Sequence, residues 1–492
     1  MNNLFYPSLF QVNTRVYMTE LSQNLGRKAT LDDVPDSELD RLADSGFDWI
    51  WFLSVWQTGK EGQRVSREHP GWRKEFQETL FDLVEEDIEG SGFAIKSYIV
   101  SDQLGGEEAL NRLRKRINDR GMKLMLDFVP NHTAIDHRWV DDNLDYYVRG
   151  TVSNLEAEPR NYKRVKSKGE DIVLAYGRDP FFLGWPDTLQ LNYGNPDLQA
   201  AMMNQLVNIA GKCDGVRCDM AMLILPEVFE KTWGIPCHSF WPEAIGKVRA
   251  KFTDFCFVAE VYWDLEWTLL EQGFNYAYDK RLYDRLKRGS ARTLREHLFA
   301  GLDYQSKMAR FLENHDEPRV AASFPEEKHQ AAATITFLTP GLRFFHHGQY
   351  VGRKLRISPH LVRAPEEPLN EKLELFYTKL LDVIRRPLCK KGNWLLLDCT
   401  KAWEDNWTND CFISFLWQND TDDKLLIAVN YSSVRSQCYV KLPFQNLENR
   451  IWLFKDLING ETFEREGSIL SEKGLYLDEP AWKYYVFHLN SA

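Results

Sequence analysis

At 492 residues, 43% of them hydrophobic and 13% aromatic, the chain is long enough for two to four domains and apolar enough for a large core, which excludes an intrinsically disordered protein. Its 61 basic and 72 acidic side chains leave a net charge of −11 with both signs spread along the sequence, which argues against nucleic acid or an anionic membrane as a partner. No apolar run approaches the ~18 residues of a membrane span. The opening Met1-Asn2-Asn3-Leu4 has neither the basic nor the apolar region of a secretory signal. The eight cysteines form no CxxC pair, and Cys213, Cys218 and Cys256 fall in apolar runs, where a thiol behaves as a small hydrophobe. A reducing, cytoplasmic setting is expected.

Up to about residue 385 the sequence alternates apolar strand, loop and amphipathic helix. Candidate strands fall at 9–17, 47–55, 123–129, near Gly215, and at 255–260, 274–278, 308–312 and 342–346. Leu110, Leu113 and Ile117 recur at helical spacing ahead of Gly121, which is placed to end that helix. Asn195 and Pro196 supply an N-cap and first-turn proline before Leu198, Met202, Leu206 and Ile209. Eight strands alternating with helices predict an α/β fold closed as a (β/α)8 TIM barrel, built from residues 1–130 and 193–387. Residues 131–192 are long, polar and helix-poor, and read as a small domain inserted after the third strand. From 388 to 492, short alternating strands at 411–417, 424–430 and 437–442, with turns rich in Asn, Asp and Gly, predict a C-terminal antiparallel β-sandwich.

Barrel sites gather where the strands end, and four strand ends here are unusually polar. They read DFVPNH (127–132), GVRCD (215–219), FVAEVYW (257–263) and ENHDEPR (313–319). Asp219, Glu260 and Asp316 would converge at one mouth, with His132, His315 and Arg217 around them. Paired carboxylates flanking a bond are what glycoside hydrolysis requires, and neighbouring aromatic rings suit the C–H faces of sugars.

In these four segments, in this order, the chain resembles the α-amylase superfamily of retaining α-glucoside hydrolases, and the resemblance extends over the inserted domain and the C-terminal β domain. It implies Asp219 as nucleophile, Glu260 as general acid/base and Asp316 as the carboxylate that holds sugar hydroxyls. It implies that Arg217 orients Asp219, whose pKa an adjacent cation would keep low. Glu260 needs a raised pKa instead. His132 and His315 would bond hydroxyls of the sugar being cleaved, and Asp127 would support this shell from behind. Phe93 lies where the family often has an aromatic platform, and Trp263, with Trp56 and Gln57, is a candidate for neighbouring subsites.

Two departures stand out. The Lys-His pair that many α-amylases carry after the nucleophile, whose histidine carbonyl binds calcium, is replaced by Met222 and Leu223. The calcium-binding aspartate that ends the inserted domain is replaced by Gln190, in Leu189-Gln190-Leu191-Asn192, although Asn131 remains. Calcium prefers several hard, negatively charged oxygen ligands, so no metal or other cofactor is assigned. The expected activity is retaining hydrolysis of α-1,4-glucosidic bonds in an α-glucan, maltooligosaccharide or small α-glucoside. The alternatives are a transferase, isomerase or phosphorylase of the same superfamily acting on sucrose, trehalose or maltooligosaccharides, and a non-catalytic carbohydrate-binding protein.

Overall fold

The computed structural model describes residues 5–419 and 423–491; residues 1–4, read above for a secretory signal, lie outside them. Eight strands close into a barrel in chain order: β1 (Ser8–Asn13), β2 (Trp49–Leu53), β3 (Lys123–Phe128), β4 (Gly215–Cys218), β5 (Cys256–Ala259), β6 (Tyr276–Tyr278), β7 (Met308–Arg310) and β8 (Leu342–His346). All neighbours are parallel. The ring closes where β1 lies between β2 (Leu9↔Trp49) and β8 (Ser8↔Arg343). At Gly215 a Cβ would come within 2.9 Å of the Cys256 carbonyl oxygen and 3.0 Å of the Trp49 ring, so β4 can start here only with glycine.

The helices between strands follow the apolar spacing. Helix Gly106–Asn118 buries Ala109, Leu110, Leu113 and Ile117, and Gly121 supplies the left-handed turn (φ +75°) after it. Helix Pro196–Ala210 is capped by Asn195, whose side chain accepts from the Asp197 N–H at 2.9 Å. The expected strand at 9–17 is half right. It stops at Asn13, which caps helix Thr14–Leu25 by accepting from the Val16 N–H, so residues 14–17 are helical. Among the described residues no helix is long and apolar enough to cross a membrane.

Two excursions rise above the strand ends. After β3, strand His132–Ala134 pairs antiparallel with Thr188–Gln190, and Tyr162–Ser167 forms a hairpin with Glu170–Ala175. The second, after β2, was not singled out in the sequence. Strand Trp56–Thr58 pairs with Ile95–Val100, and helices Lys60–Glu68 and Pro70–Thr79 lie between them.

The C-terminal region is a six-stranded antiparallel sheet facing a three-stranded one. Its strand Phe412–Gln418 alternates between two cores. Ile413, Phe415 and Trp417 belong to the same apolar mass as the barrel, whereas Phe412 and Leu416 pack with the three-stranded sheet. Trp417 Nε1 donates to the Leu338 carbonyl at 2.6 Å. Buried Arg343 on β8 donates to the carbonyls of Phe337, Tyr6 and Cys389, tying barrel, N-terminus and the helix Pro387–Lys391 together.

Candidate active site

The ends of β3, β4, β5 and β7 bring the polar segments to one mouth around Arg217. This guanidinium is 1% exposed; its Nη1 lies 2.6 Å from Asp219 Oδ1, its Nη2 lies 2.7 Å from Glu260 Oε2 and 4.0 Å from Asp316 Oδ2, and its Nε donates to the Tyr278 hydroxyl at 3.3 Å. Beside this ion pair, Glu260 accepts two hydrogen bonds, from the Met220 N–H (2.7 Å, to Oε2) and the Tyr262 hydroxyl (2.8 Å, to Oε1). Met220 reaches it from a left-handed backbone conformation (φ +42°) that non-glycine residues adopt at a cost.

Burial pushes the Glu260 carboxyl up to about 7, helped by the negative charges of Asp219 and Asp316 and opposed by Arg217. Burial raises Asp219 as well, with Arg217 pulling against it. The expectation of a low Asp219 pKa is therefore corrected: the cation acts in the expected direction, but loss of solvent outweighs it. His132 is driven down to about 3 by burial and is neutral.

Asp219, Glu260, Asp316, His132 and Phe93 share the wall of a cavity of about 260 Å3. Phe93 is half-buried; its ring stacks on His315 (5.2 Å between centroids, 29°) with Arg217 behind it at 5.2 Å. His315 lies beneath this wall, 3.0 Å from Asp316 Oδ2 through Nε2, while its Nδ1 is 2.9 Å from Gln11 Nε2. Gln11 Oε1 in turn faces His346 Nδ1 at 2.7 Å. Asp127 is buried behind the mouth, where its Oδ2 accepts from the Ser54 N–H at 2.9 Å.

Trp263 stands apart from this cavity. It is 38% exposed, packs edge-on against Phe181 at 5.0 Å, and borders a larger outer cavity of about 740 Å3. Met220 and Tyr262 border both cavities. Trp56 is not a wall of either one: it is buried with Nε1 donating to the Asp127 carbonyl at 2.8 Å, which corrects its reading as a subsite residue. Met222 and Leu223 are buried as well and border neither cavity.

The site also contains residues that sequence reasoning did not pick out. Trp72 comes from helix Pro70–Thr79, Trp185 and Asp187 from the excursion after β3, and His360 from the loop after β8. Apart from Trp72 these lie in loops, and no sequence signal separates the aromatics from the packing ones.

The model for the α-amylase catalytic domain matches residues 36–367. The chain belongs to the α-amylase family. Among curated relatives, this family member is 23% identical over 289 residues to α-amylase MalA of Haloarcula japonica, covering 56% of this chain and 39% of the relative. It is 26% identical over 305 residues to an α-glucosidase of Apis mellifera, covering 53% of each. The match thus spans about half the length of these relatives or less. Among solved structures, maltogenic α-amylase AmyB of Thermotoga neapolitana shares the fold with a TM-score of 0.70 at 18% identity, covering 98% of both chains. An α-amylase from Lactobacillus plantarum does so with a TM-score of 0.69 at 18% identity and the same coverage.

In this α-amylase-family chain the residues at the expected calcium position do not fit the ion. Gln190 Nε2 donates to Asn131 Oδ1 (2.9 Å), the Asn131 carbonyl (3.0 Å) and the Leu191 carbonyl (3.1 Å), and Asn131 Nδ2 returns a bond to Gln190 Oε1 (3.2 Å). The oxygens that would face a cation face an amide donor instead, and no carboxylate takes part. Both side chains are fully buried. The amide pair itself links the end of β3 to the excursion.

Proposed function

We propose that the chain is a retaining glycoside hydrolase acting on α-1,4-glucosidic bonds of glucans, maltooligosaccharides or small α-glucosides. The observation that carries this reading is the shared guanidinium: Arg217 hydrogen-bonds Asp219 on one side and forms an ion pair with Glu260 on the other, and Glu260 is lifted to about 7. Two carboxyls bridged by one cation support the ~5–5.5 Å spacing of retaining enzymes rather than the ~6.5–9.5 Å that leaves room for an inverting water. Asp219 attacks the anomeric carbon while Glu260 gives its proton to the leaving oxygen, and the glycosidic bond breaks. Glu260, now a carboxylate, takes a proton from water as that water attacks the anomeric carbon, releasing the sugar and restoring Asp219. Arg217 stays charged throughout and keeps Asp219 oriented. Eight free cysteines, six of them buried, are consistent with action in a reducing cytoplasm.

A second reading is transfer of the glycosyl group to a sugar acceptor. It is favoured by the outer cavity on the Glu260 flank, where Trp263 and Phe182 offer exposed rings to a second sugar. One NMR time course on maltoheptaose, with Asp219→Asn as control, tests both. Short products that first appear as α-anomers, absent with the variant, support retaining hydrolysis. Products longer than the substrate support transfer. First-formed β-anomers overturn the retaining mechanism.

A further inference from the structure

We propose that Asp187 is a specificity-determining residue that accepts a hydrogen bond from a hydroxyl of the glycosyl unit held in the catalytic cavity. The inference rests on the glycosidase reading and goes beyond it, because Asp187 is a fourth carboxyl on the wall that holds Asp219, Glu260 and Asp316. It lies in a turn locked on both sides: the Trp185 N–H donates to the Gly177 carbonyl at 2.8 Å, and the Thr188 N–H donates to the Trp185 carbonyl at 3.1 Å. Trp185 packs its ring on His132 at 5.2 Å, and Thr188 opens the strand that pairs with His132–Ala134. The carboxyl therefore has a set position in the wall that also contains Asp219, Glu260 and Asp316.

Its surroundings explain little else about it. Asp187 is 3% exposed, it forms no ion pair among the described residues, and its Oδ2 is buried without a hydrogen-bond partner. A buried carboxyl left unsatisfied is costly, so a structural role would come with a partner. Burial raises it to about 7, with its own backbone N–H as the stabilising donor. A hydroxyl is the ligand this environment selects. A second anion would be repelled by the neighbouring carboxylates, and an apolar group would leave the oxygen unpaired. Asp187 borders only the cavity of about 260 Å3 and not the outer one beyond Tyr262, so the hydroxyl belongs to the unit transferred to Asp219 rather than to the leaving group. That volume lies below the ~300–1,000 Å3 of sites for drug-sized ligands and suits one sugar ring.

The test uses 4-nitrophenyl α-glucoside and α-maltoside with their monodeoxy analogues in the transferred ring, against wild type, Asp187→Ala and Asp187→Asn. Asp187→Ala is expected to lower kcat/KM on the parent substrates ~10–100-fold, the range for one hydrogen bond to a charged or buried polar group. At one deoxy position the wild type should show the same loss, and Asp187→Ala should show none beyond its own. Asp187→Asn, which keeps an acceptor oxygen, should recover most of the rate. Melting of Asp187→Ala should be unchanged or higher, since an unpaired buried carboxyl has gone. Wild-type kinetics for Asp187→Ala, or deoxy penalties that simply add to the variant's loss at every position, overturn the proposal. If the wild type turns over none of these glucosides, the glycosidase reading fails. Asp187 is then judged by titrating the same glucosides into Asp219→Asn and Asp219→Asn/Asp187→Ala: tighter binding by the former supports it, and equal affinity overturns it.

Discussion

The backbone N–H of Met220 donates to Glu260 Oε2 at 2.7 Å, so the residue that follows the candidate nucleophile holds the candidate acid in place. The left-handed backbone at Met220 is what turns that N–H across the strand ends. The spacing of the two carboxyls is thereby set by main chain as well as by Arg217. Substitutions of the Met220 side chain that keep its backbone conformation should therefore leave this contact in place.

The pH profile follows from Glu260. As general acid it must carry its proton, which it loses as pH rises through about 7. kcat/KM should fall on the alkaline side near that value, and fall on the acid side as Asp219 protonates. The two limbs report the coupled pair and not either residue alone. In Glu260→Gln, an activated aryl glucoside that needs no acid should be turned over without the alkaline limb. An alkaline limb unchanged in that variant would show that another group controls it.

Stability should move with the same group. Its folded pKa of about 7 lies above the ordinary 4.5, so between those values the native state holds a proton that the unfolded chain has released. Stability is then lost as pH rises through this window. Melting temperature should decline from pH 5 to pH 8 more steeply in wild type than in Glu260→Gln, and the variant should melt higher at pH 8. Equal slopes in calorimetry would contradict the assignment.

Asp219→Asn should abolish nearly all turnover, on the order of 10⁴-fold or more for loss of a nucleophile, with the fold intact by circular dichroism. It leaves Arg217 bonded to Glu260 but removes one of its two close carboxylates, so the acid should titrate at a lower pH in the variant. Substantial remaining activity would place the nucleophile elsewhere.

The Gln190–Asn131 pair predicts indifference to chelation. EDTA should leave the melting temperature unchanged and added calcium should not raise it, because the amide occupies the acceptors a cation would need. Gln190→Leu orphans Asn131 Oδ1, while the Asn131 carbonyl keeps the Leu191 N–H at 3.1 Å, and should destabilise by ~1–3 kcal/mol. A melting temperature that falls with EDTA and recovers with calcium would refute the reading.

Gln11 holds His315 from the far side of the barrel mouth. An amide that donates to Nδ1 leaves the proton on Nε2, the nitrogen facing Asp316. Gln11→Leu removes the donor that fixes this tautomer and should lower kcat/KM ~10-fold or more. Wild-type kinetics for Gln11→Leu would mean that Gln11 acts only by packing.

Much of this was legible because barrel strands are short apolar runs with sharp ends, so the polar residues closing them stand out. Asp219, Glu260, Asp316, His132 and Phe93 do meet at one cavity. Trp263 was read from the same strand end but faces the outer cavity. Trp185, Asp187 and His360 escaped because loops carry no period, and Trp-Pro-Asp-Thr at 185–188 reads as an ordinary turn; Trp72 escaped because its short helix lies in the excursion after β2, which the sequence did not mark. Trp56 misled for the opposite reason. Its ring ends an apolar run as a subsite residue would, but its N–H is taken up by the Asp127 carbonyl. The direction of the Asp219 shift depends on how much water the surrounding loops exclude, which strand spacing does not reveal.

The alternation along Phe412–Gln418 reaches beyond stability. With Ile413, Phe415 and Trp417 embedded in the barrel's own apolar mass, the C-terminal sheet is a shared wall rather than an attachment. The two regions cannot be exchanged separately with those of a relative: a foreign sheet would have to reproduce Trp417 under the Leu338 carbonyl and the two side chains beside it, Ile413 and Phe415. Variation in one region is therefore filtered by the other, and the seam between them should diverge more slowly than the loops around the catalytic cavity.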